Sequence, residues 1–158
     1  MIPAFDIVPE TPDPEALGRC TLLMEVGERF FSYILYDRSA RKLLGLRQYR
    51  LETEPQQGDT EWLSDIIEAD DLLKVNSRES IVIYNFPDSC LLPEQYFHIE
   101  LNKPLTELVY GNARKGLVLS EKVHGWQLYN IYRIPREVHS IMQSRFAAGK
   151  YWHSYSLM

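Results

Sequence analysis

Between Thr21 and Leu51 three strand-forming runs follow one another with only short turns between them, and that spacing favours an antiparallel meander. Thr21-Leu22-Leu23-Met24-Glu25-Val26 is the first run, closed by a tight turn at Gly27-Glu28. Arg29 to Tyr36 is the second, rich in the aromatic and β-branched residues that suit a pleated surface. After a turn at Asp37-Arg38-Ser39-Ala40, Lys42 to Leu51 forms the third. There Leu44, Leu46 and Gln48 alternate with Gly45, Arg47 and Tyr49, which predicts one covered face and one partly wet face.

Helical periodicity replaces alternation after the polar loop from Glu52 to Gly58. Asp59 is placed as an N-cap, its carboxylate facing the free amides of the first turn. Trp62, Ile66, Ala69 and Leu73 recur at helical spacing, Leu63 and Ile67 widen the stripe, and Glu61, Asp65, Glu68 and Asp70 are expected to face water. Ser80 to Tyr84 reads as a buried strand, and Pro87-Asp88-Ser89 breaks the chain. Pro93 to Phe97 reads as one helical turn, and Leu105 to Tyr110 as a short helix stopped by Gly111. Two further strands are expected at Gly116–Lys122 and Trp126–Ile134, joined through His124-Gly125. Pro135 opens a helix with Val138, Ile141, Met142 and Phe146 on one face, Gly149 ends it, and Tyr151 to Met158 reads as a last strand. The class is therefore α/β: a mixed sheet with an antiparallel N-terminal meander and flanking helices. Residues 1–18, with Pro3, Pro9, Pro12 and Pro14, read as an extended or loosely ordered arm that Phe5, Ile7 and Val8 anchor, and residues 19–158 as a single domain.

Charge is unevenly spread over the 158 residues, whose net value is −5. Residues 52–79 carry nine acids and two bases, a balance of −7; residues 111–150 carry seven bases and two acids, a balance of +5. Two regions of opposite sign attract each other within a fold, lie on separate wet faces, or steer a protein partner into register. The overall negative field disfavours nucleic acid. No apolar run approaches the roughly 18 to 20 residues of a membrane span. The first basic residue is Arg19, so no secretory leader is expected, and the cytoplasm is the expected compartment. Cys20 and Cys90, far apart and outside any C-x-x-C pair, fit a reducing compartment, with a disulfide the less favoured alternative.

Candidate chemistry is sparse. His98, His124, His139 and His153 stand singly, without the close spacing of paired metal ligands. Of Asp65, Glu68, Asp70 and Asp71, helical periodicity assigns most to a solvated face rather than a cation site. Gly111 to Gly116 has the glycine spacing of a phosphate loop. Leu117 and Val118 stand where Lys and Ser/Thr must be, and a helix-to-strand order is the wrong one. Aromatic residues gather in the last third, at Trp126, Tyr129, Tyr132, Tyr151, Trp152 and Tyr155, as core filling or as partner anchors.

Four segments carry a resemblance: Phe31-Ser32-Tyr33-Ile34-Leu35-Tyr36-Asp37, Leu91-Leu92-Pro93-Glu94-Gln95-Tyr96-Phe97, Tyr129-Asn130-Ile131-Tyr132-Arg133-Ile134-Pro135, and His153-Ser154. In this order they resemble an uncharacterised bacterial, Bacteroidetes-type family with an actin-like (ribonuclease H-like) ATPase fold, over about residues 20 to 158. The resemblance implies a longer protein with a second, related half, of which this chain is the first. It also implies a phosphate-binding hairpin at Glu25-Val26-Gly27-Glu28-Arg29. There Glu25 replaces the family's aspartate and no Ser or Thr follows Gly27, so the turn is degenerate; on the residues alone Gly27 serves a plain hairpin. The expected function is a non-catalytic actin-like module without a cofactor, acting through a protein partner or as a homodimer. One alternative is an ATP- and Mg-binding half that needs its second half or a dimer; another is an unrelated small-molecule-binding or regulatory domain.

Overall fold

The computed structural model describes residues 2–8, 13–52 and 60–157. Among the described residues, nine strands and four α-helices follow in the order β1 (Phe5–Ile7), α1 (Pro14–Arg19), β2 (Thr21–Gly27), β3 (Phe30–Asp37), β4 (Lys42–Arg50), α2 (Glu61–Ala69), β5 (Glu79–Asn85), β6 (Ser89–Pro93), α3 (Asn102–Tyr110), β7 (Leu117–Lys122), β8 (Leu128–Ile134), α4 (Arg136–Arg145) and β9 (Lys150–His153). Six strands form one sheet in the order β1-β4-β3-β2-β5-β9, and β6-β8-β7 form a second. The meander β2-β3-β4 is antiparallel, as its short turns require, while β5 runs parallel to β2 and β9 parallel to β5.

The main core lies on one face of the large sheet. Leu22, Met24, Val26, Phe31, Tyr33, Leu35, Val82 and Tyr84 point into it and meet Trp62, Leu63 and Ile66 of α2 with Val138 and Met142 of α4. Tyr132 and Ile134 of β8 join the same cluster, so the second sheet closes one end of the core. α3 packs on the second sheet, where Asn102 Nδ2 donates to Ser120 Oγ at 2.8 Å.

Several elements differ from the sequence reading. Two described parts of the arm are regular: Phe5–Ile7 pairs with Gln48–Leu46 of β4, and Pro14–Arg19 is helical. Proline tolerates the first helical turn, and Asp13 caps it by accepting from the Glu15 amide at 3.0 Å. Pro9, Glu10 and Pro12 of the arm, and the expected cap Asp59, lie outside the described residues; α2 begins at Glu61. Ser89–Pro93 is a strand that apolar periodicity did not reveal, and the helical turn after it is a 3-10 turn at Glu94–Tyr96. The last strand stops at His153, where a 3-10 turn at Ser154–Ser156 takes over. Ala69 is exposed, because α2 ends there and the chain tightens into a 3-10 turn at Asp71–Lys74 that buries Leu72 and Leu73.

The largest correction concerns Asp70, expected in water and found 4% exposed. Its Oδ2 accepts from the hydroxyls of Tyr33 and Tyr49, each at 2.7 Å. Its Oδ1 accepts from Arg47 Nη1 at 2.9 Å and from the Leu72 amide at 3.1 Å. The covered face of β4 is thus the one bearing Gly45, Arg47 and Tyr49. Burial and the neighbouring carboxylate push both tyrosine hydroxyls well above their usual pKa, so they remain protonated donors.

Candidate functional site

Three parallel strands, β2, β5 and β9, end side by side: Gly27 lies opposite Asn85, and Tyr84 opposite His153. Carboxyl ends of parallel strands are where α/β sheets place ligands, because side chains and loops converge there without crossing the core. Glu25 and Gly27 are both at this edge.

The geometry of the β2–β3 turn is filled by its own side chains. Glu25 Oε1 accepts from Asn85 Nδ2 at 2.8 Å. A Cβ on Gly27 would stand 2.4 Å from Phe30 Cε1 and 3.0 Å from the Asn85 carbonyl oxygen, so glycine serves a close approach to ring and backbone. Glu28 pairs with Arg114 at 2.9 Å, and Arg29 Nη2 donates to the Glu52 carbonyl at 2.8 Å. The rejected loop at Gly111–Gly116 therefore reaches the degenerate turn through Arg114, although that exposed pair contributes little to stability. Within the loop, Gly111 has φ 74° as the residue after α3, and a Cβ at Gly116 would lie 2.5 Å from the Ile134 carbonyl oxygen.

Beside the turn sits a buried polar joint between the two sheets. Asn130, fully buried on β8, accepts from Ser89 Oγ at 2.6 Å and donates through Nδ2 to His153 Nδ1 at 3.1 Å and Ser156 Oγ at 3.0 Å. The His153 ring is also fully buried, and its Nε2 lies 3.1 Å from the Phe86 carbonyl oxygen. With Nδ1 accepting from Asn130, Nε2 carries the proton, and the ring is neutral. Glu121 closes the joint, its Oε1 accepting from the His153 amide at 2.6 Å and its Oε2 from the Tyr132 hydroxyl at 3.2 Å. A second polar lock lies nearby: Arg133 Nε and Nη2 donate to Asp88 Oδ2 at 2.8 and 2.6 Å, and Nη1 to the Gly111 carbonyl at 2.8 Å. Motif segments far apart in sequence thus meet here, through Asn130, Tyr132, Arg133 and His153. Their burial makes them a joint that holds the two sheets in register.

Burial holds His153 below the usual histidine range, with the Phe86 carbonyl partly opposing it, and burial lowers His139 as well. Such a ring stays neutral in the fold while its unfolded counterpart, with a pKa of about 6.5, takes up a proton. Stability is therefore complete above that value and falls as pH drops below it, until the folded pKa is reached. Linkage limits the slope to about 1.4 kcal/mol per pH unit per histidine. Urea midpoints at pH 8 and 5.5 test this: the wild type is expected to lose stability on acidification, and His153→Gln to lose less. Equal losses in both would remove His153 from the account.

Other candidate chemistry stays dispersed. Among the described residues no three His, Cys, Asp or Glu side chains gather as metal ligands. His98 and His124 are exposed, and Tyr84 Oη lies 2.7 Å from His139 Nδ1. Cys20 and Cys90 are free thiols, and burial pushes both thiol pKa values up. No helix among the described residues is long and apolar enough to cross a membrane.

A family model described as a protein of unknown function, DUF3822, matches residues 9–158. The chain belongs to the DUF3822 family. Among proteins of curated function none matches the DUF3822 chain. It is similar to a crystal structure from Bacteroides thetaiotaomicron VPI-5482, a protein with an actin-like ATPase fold and unknown function. The TM-score is 0.80 at 13% identity, and the match covers 91% of the DUF3822 chain and 55% of that chain. At this identity the likeness speaks for the fold alone, and the DUF3822 domain has an actin-like fold. The DUF3822 chain spans about half the length of that structure.

Proposed function

We propose that the DUF3822 domain is a non-catalytic actin-like module that works through protein contacts. The observation that carries this reading is the self-filled β2–β3 turn. A phosphate hairpin presents backbone amides and short hydroxyl side chains to an anion. Here Phe30 packs against Gly27, Glu25 is tied to Asn85, and two carboxylates flank the turn. Exposed apolar side chains on α3 and the 3-10 turn before it support a contact role: Ile99 and Leu101 of the turn are 71% and 42% exposed, and Leu108 and Val109 of the helix 83% and 53%. Apolar groups gathered on one helical surface mark interaction sites more often than scattered ones do.

Thermal unfolding under Mg-ATP titration tests the proposal. A ligand at about 100 times its Kd adds about 2.7 kcal/mol, enough to raise the midpoint by several degrees. No shift is expected. A saturable rise would favour the rival reading, a nucleotide-binding half, which draws on the placement of Gly27 and Asn85 at the ends of parallel strands.

A further inference from the structure

A cavity of about 720 Å³ opens between α1, β1 and the turn that joins β3 to β4. Its volume is within the range of small-molecule sites. Consecutive turns of a meander lie at opposite ends of its strands, so this cavity is remote from the β2–β3 turn. Val8, Leu17 and Leu44 give it apolar walls, and all three belong to the core or pack against it.

Two charged side chains of the lining stand opposite each other in strand register, Asp37 on β3 and Lys42 on β4. Facing residues of an antiparallel pair share one side of the sheet and, when oppositely charged, attract each other. These two do not pair. The Asp37 side chain is 3% exposed, and its Oδ1 accepts from the Ser39 and Ala40 amides at 2.8 and 3.0 Å. Its Oδ2 has no hydrogen bond among the described residues. Arg19 Nη2 stands 3.9 Å from it, and Arg19 is itself held by Glu15 at 2.6 Å. Lys42 is exposed, and among the described residues its ammonium has no partner. The other acids of the lining are engaged within the fold, Asp6 by Arg47 at 3.1 Å and Asp13 by the Glu15 amide at 3.0 Å.

A buried carboxylate with an idle oxygen calls for a donor, and a cationic donor binds it most strongly. A simple amine would bring a second positive charge up to Lys42. A simple acid would bring a second negative charge up to Asp37. A ligand carrying both charges satisfies both side chains at once. We propose that this cavity binds a free α-amino acid with a large apolar side chain, its ammonium on Asp37 Oδ2 and its carboxylate on Lys42. The apolar side chain lies against Val8, Leu17 and Leu44, which adds affinity by removing apolar surface from water.

Isothermal titration of the 158-residue chain with L-phenylalanine and L-leucine tests the site. Saturable binding of at least one of them is expected below about 10 mM. 2-Phenylethylamine lacks the carboxylate and N-acetylphenylalanine lacks the ammonium; each should bind at least about tenfold more weakly than phenylalanine. Asp37→Asn keeps an acceptor for the Ser39 and Ala40 amides while removing the charge, and Lys42→Met keeps the stem without its ammonium. Each variant should lose at least about tenfold in affinity for the amino acid. Absence of saturable heat with both amino acids overturns the proposal. So does equal binding of either analogue, or unchanged affinity in either folded variant. The analogue series is read on the wild-type chain, so it decides the matter even where Asp37→Asn fails to fold. None of these readouts involves Mg-ATP or a protein partner.

Discussion

Asp70→Ala is expected to destabilise the domain by about 3 to 5 kcal/mol, a third or more of the stability typical of a single domain. Removing the carboxylate strands two tyrosine hydroxyls, at Tyr33 and Tyr49, that are 1% and 4% exposed, together with the buried Leu72 amide. Arg47 suffers less, because its Nε stays 3.1 Å from Asp6 and its side chain is 23% exposed. Asp70→Asn should cost clearly less. Its amide can donate to the two hydroxyl oxygens once those hydroxyls rotate, while its oxygen still accepts from Arg47 and Leu72. Urea unfolding of the two variants distinguishes them. Equal losses would mean that packing, rather than polar satisfaction, sets the cost.

Arg133→Ala is expected to cost a similar amount, about 3 to 5 kcal/mol, by leaving the Asp88 carboxylate buried without its partner. The guanidinium joins three places at once: the junction after β5, the residue capping α3, and β8. Arg133→Lys is not a conservative change here, since one ammonium cannot reproduce three donors in a fixed plane. The double variant Arg133→Met with Asp88→Leu should recover most of the loss, because removing both charges also removes their desolvation cost. A double-mutant cycle in urea reads the coupling. Additive losses would contradict a direct dependence of Asp88 on Arg133.

Much of the architecture was legible in advance. The meander from Thr21 to Arg50, the helix beginning near Trp62, the strand at Glu79–Asn85 and the helix after Pro135 all declared themselves, although of that strand only Val82 and Tyr84 are buried. Each depends on hydrophobic period, turn residues and glycine stops within a dozen residues. The actin-like fold was legible through four short segments in the right order. The arm was misread at α1, where proline at the first helical position looks the same as proline in an extended segment. Strand β6 was missed because Ser89–Pro93 ends in a proline and lies partly exposed at the edge of a three-stranded sheet.

The candidate site divides in the same way. Glu25 and Gly27 could be placed at a strand end from local pattern, but not the Phe30 ring and the Asn85 amide that fill the turn, 60 residues apart from Glu25 in the latter case. Asn130 and His153 stood inside recognised segments without any sign that they touch. The sequence by itself determined the α/β class, the order of most elements and the sides of the helices that seek burial, because those follow from periodicities of two and of about 3.6 residues. Only the tertiary structure decided that Asp70 is a buried hub and that two sheets meet through Asn130 and His153. A polar side chain goes inside when partners arrive to satisfy it, and those partners come from strands and loops 20 to 45 residues away along the chain.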